Sequence, residues 1–361
     1  SYNKRHSSVS DEAYTDACAL PPTAFPYDKD GNLIVRASNT ASWYKNALTE
    51  VETEAYRWEN KTYSAYINLF ADWKILPSLS YRINLSTDVR ANTDKMAAIS
   101  ESNKRHGDGD IASINNEHIN RESIENILTY DKVFNQKHHL TLTGIHSYQQ
   151  SHYESDKIEV TQIPHFQALW NNIGAAAAVK SYSSYMEERK LLSFAGRLFY
   201  SYDDRYLLTA SIRADGASQF APDHKWGYFP SVALAWRASE ESFLRDIEWL
   251  SNLKIRASFG VSGNQGISPY QTQGSLTSTK YSFDDQEGLG MRPGELANKD
   301  LKWEKTAVYN IGLDFGLLNN RLTGSVDLYK SKTTDLLMYR QLPITTGFSS
   351  SLQNVGSTQN K

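Results

Sequence analysis

The chain has 361 residues, 38 basic and 41 acidic side chains for a formal net charge of −3, and 8 Trp, 22 Tyr and 13 Phe. A mean hydropathy of −0.56, with no run of ~20 apolar residues, excludes membrane-crossing helices; the missing Lys/Arg block excludes a nucleic-acid footprint, and the aromatic content excludes disorder. One cysteine, Cys18, excludes an internal disulfide and a cysteine-rich metal site.

The first ten residues, SYNKRHSSVS, have neither an initiator Met nor an apolar stretch with a cleavage site, so a processed chain or an internal piece of a longer one is expected. Residues 1–61 lack sustained periodicity and read as an irregular extracellular segment leading into the strand-rich remainder of the chain. Within it Asp28, Asp30 and Asn32 (YDKDGN) imitate the start of a calcium loop. Gly31 stands at the fourth position instead of the sixth, however, and Asn39 takes the place of the closing Glu. A turn is the better reading.

From Thr62 onward strict apolar/polar alternation dominates and marks strands with one apolar face. Tyr63, Ile67, Leu69 and Trp73 lead through Leu76-Pro77-Ser78 into Leu79, Tyr81, Ile83, Leu85 and Val89. Weaker alternation covers Ile124 to Val133 and His138 to Tyr148. A hairpin comes next, with Leu192, Phe194, Leu198, Tyr200 and Tyr202 before Asp203-Asp204 and Tyr206, Leu208, Ala210 and Ile212 after it. Phe229 to Trp236 makes another strand. In Asn252 to Val261 the residues Leu253, Ile255, Ala257, Phe259 and Val261 oppose Lys254, Arg256, Ser258 and Gly260. The last hairpin sets Ala307, Tyr309, Ile311, Leu313 and Phe315, across Asn319-Asn320, against Leu322, Val326 and Leu328. About ten strands result.

Each strand runs about 10 to 14 residues, twice the usual soluble length and enough for a tilted strand to cross a bilayer. Connections alternate short (76–78, 134–137, 203–204, 318–320) and long (91–121, 151–190, 262–300), the asymmetry of outer-membrane barrels with short periplasmic turns and long outer loops. The one longer inward connection, Ser239 to Ser251, carries Phe243, Leu244, Ile247, Trp249 and Leu250 at helical spacing and predicts a short periplasmic helix. Trp73, Tyr200, Tyr202, Tyr206 and Phe315 at inward strand ends, with Tyr228, Phe229 and Trp303 at outward ends, predict two aromatic girdles. The predicted fold is therefore all-β: a transmembrane antiparallel β-barrel segment over 62–361 with long extracellular loops. A soluble β-protein with these rings in its core is the alternative.

Candidate chemistry is sparse. His138, His146 and His152 share a parity, but eight residues along a strand span about 26 Å, too far for joint ligation. HGDGD (His106 to Asp110) offers two carboxylates, the donors of a weak external calcium site, although an unliganded loop tip is preferred; no cofactor, metal site or catalytic residue is expected. Neither GVSGNQG (Gly260 to Gly266) nor GLGMRPG (Gly288 to Gly294) has the spacing of a phosphate loop. Recognition has more candidates. Among the rings of the long connections, Trp43, Tyr44, Trp170, Tyr182, Trp226, Tyr270 and Tyr281, with Tyr153, Phe166, Tyr185 and Phe283 beside them, could take the apolar faces of sugars while neighbouring amides and carboxylates bind hydroxyls. The structural alternative is that they pack loops or meet a partner protein. Lumen-facing Arg197, Arg213, Lys254 and Arg256 fit contact with a plug better than with substrate.

At Arg205 to Arg237 the wording becomes specific: RYLLTASIRADGAS, then FAPDHKWGYFPSVALAWR. With NLKIRASFGVSGNQGISPYQT, LKWEKTAVYNIGLDFGLLNNRLTGSVDLY and PITTGFSSSLQNVGS, this resembles the barrel of the SusC/RagA family, the TonB-dependent outer-membrane transporters of Bacteroidetes. The likeness covers most of 205–357 and is looser upstream, chiefly PPTAFPYDKDGNL (Pro21 to Leu33). It implies a barrel of 22 strands around an N-terminal plug, so this chain is expected to lack the plug, the TonB box and the closing strands. It further implies nutrient uptake in the outer membrane: import of oligosaccharides or peptides, with a SusD-like surface lipoprotein as lid and TonB–ExbB–ExbD acting through the missing plug, against a surround of outer-membrane lipid. An adhesin or receptor without transport, and a soluble β-rich carbohydrate-binding module, are the alternatives.

Overall fold

The computed structural model describes residues 1–36, 43–283 and 286–361; Asn39 of the calcium-loop comparison lies outside them. Its elements in chain order are β1 (Tyr2–Ser7), α1 (Asp11–Ala19), α2 (Leu48–Thr53), β2 (Tyr56–Leu76), β3 (Leu79–Ala98), β4 (Ile111–Phe134), β5 (His138–Thr161), β6 (Ala178–Tyr202), β7 (Tyr206–Ala217), β8 (Trp226–Arg237), β9 (Leu250–Asn264), β10 (Leu276–Phe283), β11 (Gln286–Pro293), β12 (Glu304–Leu317), β13 (Leu322–Thr334), β14 (Leu337–Gln341), β15 (Ser350–Asn354) and β16 (Ser357–Asn360). Twelve strands form one sheet in the order β1-β2-β3-β4-β5-β6-β7-β8-β9-β12-β13-β16, and β10-β11 and β14-β15 are separate two-stranded hairpins. The ten strands expected from periodicity are β2 to β9, β12 and β13. The two further members, β1 and β16, are 6 and 4 residues long, too short to show a period.

Strands β2 to β6 are 20 to 25 residues long, about twice what a bilayer requires. Much of 91–121 and 151–190, expected as loop, therefore continues as strand. Alternation fails there because the ends of the extensions are packed on both faces, the adjacent Ala97 and Ala98 being fully buried in different clusters. The short connections are built as expected: Asp203 and Asp204 both have φ 52°, and Leu318, Asn319 and Asn320 have φ 54°, 57° and 59°, the left-handed backbone that tight hairpins need. Between Ala238 and Leu250 there is a three-residue 3-10 turn at Ala238–Glu240 followed by further turns, not the expected helix. An isolated helix shorter than about 12 residues is marginal without a packed face, and Phe243 and Trp249 are exposed.

The chain divides into two compact units. The first comprises Ser1–Ile67, Thr87–Arg121 and Ser151–Glu187. Ser10 caps α1, its side chain accepting the Ala13 N–H, with Asp11 and Glu12 in the first turn where the helix dipole favours acids. One apolar cluster joins Tyr56, Ala98 and Ile111, and another packs Phe166, Leu169 and Trp170 on Ala97, Ala112 and Val160.

The second unit comprises Asn68–Ser86, Glu122–Gln150 and Glu188–Lys361. Its register sets Leu208, Leu234, Ala257, Ile311 and Leu328 in one cross-strand row over β7, β8, β9, β12 and β13. Leu234, Ile311 and Leu328 are 55%, 62% and 72% exposed. A continuous apolar surface of this kind is what hydrocarbon covers and water does not tolerate. Where the long connections begin, Ala217, Phe220, Phe229, Ile267, Leu301, Trp303 and Leu352 form a core. Phe229 and Trp303 are thus buried, 8% and 4% exposed, and not part of an outer girdle; Tyr228, of opposite parity, is exposed. Gly227 and Gly263 make room for the Phe229 ring, since a Cβ on either would lie 2.5 Å or 2.3 Å from it.

Candidate functional site

The face opposite the apolar row is polar and internally paired. In the second unit Arg213 Nε lies 2.8 Å from both oxygens of Asp215, and its Nη2 donates to Ser193 Oγ at 3.0 Å. Arg256 binds Asp314 through Nε and Nη2, both at 2.8 Å, and reaches Asp327 at 3.3 Å. Two of the four cations expected to await a plug therefore already have carboxylate partners in the wall. Lys254 stands opposite Asp314 in register, and Arg197 opposite Ser211.

In the first unit a ladder of amides and acids runs over β2, β3 and β4. The Trp58 indole N–H donates to Asp94 Oδ2 at 2.8 Å, Asn60 Nδ2 donates to Asn92 Oδ1 at 2.9 Å, and Thr62 Oγ1 donates to the same oxygen at 2.9 Å. Asn92 Nδ2 reaches Glu117 at 3.3 Å. Periodicity missed this cluster because each member looks, alone, like an ordinary outward polar residue. Its signal was the spacing of Trp58, Asn60 and Thr62, which share one side of β2.

The outer aromatics occupy different settings. Trp43 is 65% exposed, with its ring parallel to His106 at 5.2 Å and 9°. His106 Nε2 in turn lies 2.9 Å from Asp16 Oδ2. Asp16 is buried and also accepts from Asn103 Nδ2 at 2.7 Å and the Lys45 N–H at 3.2 Å, so the plate under Trp43 is fixed. Burial pushes the Lys45 ammonium down, helped by the Arg36 charge, and Lys45 donates to Ser100 O at 2.6 Å. Tyr44, next in chain, is half-buried. Trp170 packs in the cluster around Val160, the loop-packing role. Tyr182 lies on β6 instead of a loop and is 83% exposed.

In the second unit Trp226 opens β8, stacks with Phe194 at 6.2 Å and covers Gly216. Tyr270 comes after β9 with φ 65°, and Tyr281 lies on the β10-β11 hairpin. These rings are distributed over several elements. Tyr153 and Tyr185 form a ring pair at 6.0 Å in the first unit; Phe283 ends β10.

The calcium-like motifs are held by their own bonds. Asp28 Oδ1 accepts the backbone N–H groups of Asp30 and Asn32 at 2.9 and 2.8 Å, an Asx turn closed by the Tyr27–Leu33 bridge. In HGDGD, Asp110 Oδ1 accepts the Ser100 N–H at 2.9 Å. The three histidines have separate partners, His138 with Tyr200, His146 with Asn126 and His152 with Glu154. Among the described residues no group of three His, Cys, Asp or Glu side chains could hold a metal ion.

The family model described as TonB dependent receptor-like, beta-barrel matches residues 5–361. The chain belongs to this family. It is similar to TonB-dependent receptor P26 of Formosa agariphila, 32% identical over 96% of this chain and 35% of the relative. It is also similar to TonB-dependent receptor SusC of Bacteroides thetaiotaomicron, 42% identical over 51% of this chain and 19% of that protein. The solved RagAB peptide transporter superposes with a TM-score of 0.82 at 23% identity, over 92% of this chain and 37% of that one. The chain thus spans about a fifth to a third of the length of the curated relatives it matches. Its fold is that of a TonB-dependent barrel segment, its place is the outer membrane, and the family is one of transporters and receptors.

Proposed function

We propose that the chain is a wall segment of a SusC-like TonB-dependent importer that carries oligosaccharides or peptides across the outer membrane, and that it catalyses no reaction. The observation that carries this reading is the two-faced sheet of the second unit: an exposed apolar row through Leu234, Ile311 and Leu328 on one side, and the Arg213 and Arg256 ion pairs on the other. That arrangement suits hydrocarbon outside and a polar passage inside. The outer rings Trp43, Tyr182, Trp226, Tyr270 and Tyr281 belong to the surface that would meet ligand or lid, whereas Tyr44 and Trp170 support it. The outer segment then lies between β1 and β2, the division at about residue 61 falling within β2, with plug and TonB box supplied elsewhere in the longer protein. The partners are a SusD-like lipoprotein as lid and TonB–ExbB–ExbD through the plug.

The test is to purify the full-length parent protein from outer membranes in mild detergent and identify its companions by mass spectrometry. A stoichiometric SusD-like lipoprotein is expected. Recovery alone from the membrane would favour an unlidded transporter or an adhesin, and recovery in the soluble fraction would overturn the reading.

A further inference from the structure

In the second unit, the segment running from Gly294 to Asn298 and the hairpin β14-β15 enclose a cavity of about 180 Å³. It holds about six waters at roughly 30 Å³ each, the space that one sugar ring and its hydroxyls displace. The walls are built, not incidental. Gly274, at φ +75°, has Glu295 O only 2.9 Å from where a Cβ would lie, and a Cβ on Gly294 would fall 2.2 Å from Thr277 Oγ1. Both contacts clamp the segment that carries Glu295.

The polar groups are arranged with their own demands partly met. Gln271 Oε1 accepts the Ser268 N–H at 3.0 Å, and its Nε2 donates to the Tyr339 hydroxyl at 2.6 Å. Tyr339 is thus an acceptor within the protein and keeps its own proton for a ligand. Asn298 is held likewise, donating to Leu352 O at 2.8 Å and accepting the Asp300 N–H at 3.1 Å. Beside these fixed groups stands the hydroxyl of Ser350, on the same side of β15 as Leu352, the register partner of Tyr339, and it donates or accepts as required. Glu295 is the charged side chain of the lining, and no cation pairs with it among the described residues.

We propose that this cavity binds one neutral or amino-sugar unit of an incoming oligosaccharide. The proposal rests on the importer reading above and narrows it to glycans. Mixed donors and acceptors at fixed positions match vicinal hydroxyls, and Tyr339 with Phe348 offers apolar edges to ring carbons. The unpaired Glu295 carboxylate repels uronate and sulfate groups. A peptide would bind chiefly through backbone hydrogen bonds along a strand edge, whereas the groups that converge here are side-chain amides and hydroxyls.

The experiment uses the full-length transporter in detergent, with calorimetric titration of maltoheptaose, chitosan hexamer, alginate hexamer and an unrelated hexapeptide. Maltoheptaose or chitosan hexamer should bind at least about tenfold tighter than alginate hexamer. Ser350→Phe, which fills the cavity, should weaken that binding about tenfold or more, and Glu295→Lys, an exposed change that spares the fold, should shift the preference toward alginate. If a neutral glycan binds but neither variant alters affinity or charge preference, the cavity assignment is overturned while the importer reading stands. If Ser350→Phe fails to fold, Glu295→Lys alone decides, and an unchanged preference overturns the assignment. Binding of the peptide with no glycan bound overturns the narrowing to sugars, binding of none of the four by a membrane-embedded parent overturns the cavity assignment while the importer reading stands, and a soluble parent overturns the importer reading itself.

Discussion

Arg256 and Asp314 meet side-on across the β9-β12 pair, each of two guanidinium nitrogens lying 2.8 Å from a different carboxylate oxygen. Gly312 is the register partner of both Arg256 and Asp327, and a Cβ there would lie 2.6 Å from Asp327 Oδ1 and 2.7 Å from Arg256 Cζ. The glycine leaves the space that the ion cluster fills. Those obstacles are ends of flexible side chains, so in the full-length barrel Gly312→Ala should displace the cluster at a cost below about 1 kcal/mol. Gly263→Ala instead drives a Cβ into the buried Phe229 ring at 2.3 Å and should cost about 1 to 3 kcal/mol. Urea midpoints of the two refolded variants check the order; a larger loss at Gly312 would contradict it.

Ile255 and Leu313 are register partners on the apolar face, 39% and 38% exposed. Ser258 points to the other side. Replacing Ile255 or Leu313 with Arg should destabilise the complete barrel by ~2 to 4 kcal/mol near the midplane, while Ser258→Arg should cost much less. Refolding into vesicles measures both, and equal losses would reject the assignment of faces.

The wall was legible and its extremities were not. Alternation in Leu253 to Val261 and Ala307 to Phe315 reports a face held against hydrocarbon, so β9 and β12 stand where that pattern puts them. Beyond Val89 the stretch ANTDKMAA loses its period, because polar pairing on its first residues gives way to apolar packing on both faces at Ala97 and Ala98. Phe229 and Trp303 were misplaced for a related reason. An aromatic at a strand end has the same sequence appearance in a girdle as in a loop core, and only the close approach of Gly227 and Gly263 distinguishes them. The start of α1 did carry a signal, Ser10 followed by Asp11 and Glu12, which was lost in an otherwise irregular stretch. Site residues were legible as types but not as groups. Trp43 depends on Asp16 and His106, ninety residues apart in sequence.

Glu50 is fully buried and gathers three donors: the Ser10 N–H at 2.6 Å, Ser10 Oγ at 2.9 Å and the Lys104 N–H at 3.1 Å. It ties the start of α1 and the β3-β4 connection to α2. Glu50→Ala would strand those donors, each worth about 1 to 3 kcal/mol when buried and unmet. Limited trypsin digestion of the full-length protein should then cleave within residues 1–54 markedly faster than in wild type, whereas Glu50→Gln, which keeps an acceptor oxygen, should fall between. Unchanged cleavage in Glu50→Ala would show that α1 is held by other contacts.

Glu241, in the connection after β8, accepts from the Tyr206 hydroxyl at 2.5 Å and from the Trp236 indole N–H at 3.1 Å, with Arg205 Nη1 at 3.3 Å. The Tyr206 hydrogen bond foremost, then that of Trp236, holds its carboxyl below the ordinary 4.5, against the opposing effect of burial and with help from Arg205. A carboxyl whose folded-state pKa is depressed binds fewer protons folded than unfolded, so its stabilisation is present above the unfolded value and lost as pH falls through the folded one. The stability advantage of wild type over Glu241→Gln should therefore be flat near neutrality and shrink as pH drops below about 4.5. Urea unfolding of both proteins as a function of pH checks this. A gap that widens on acidification would show that Glu241 is protonated in the folded barrel and that the Tyr206 clasp works through a neutral acid.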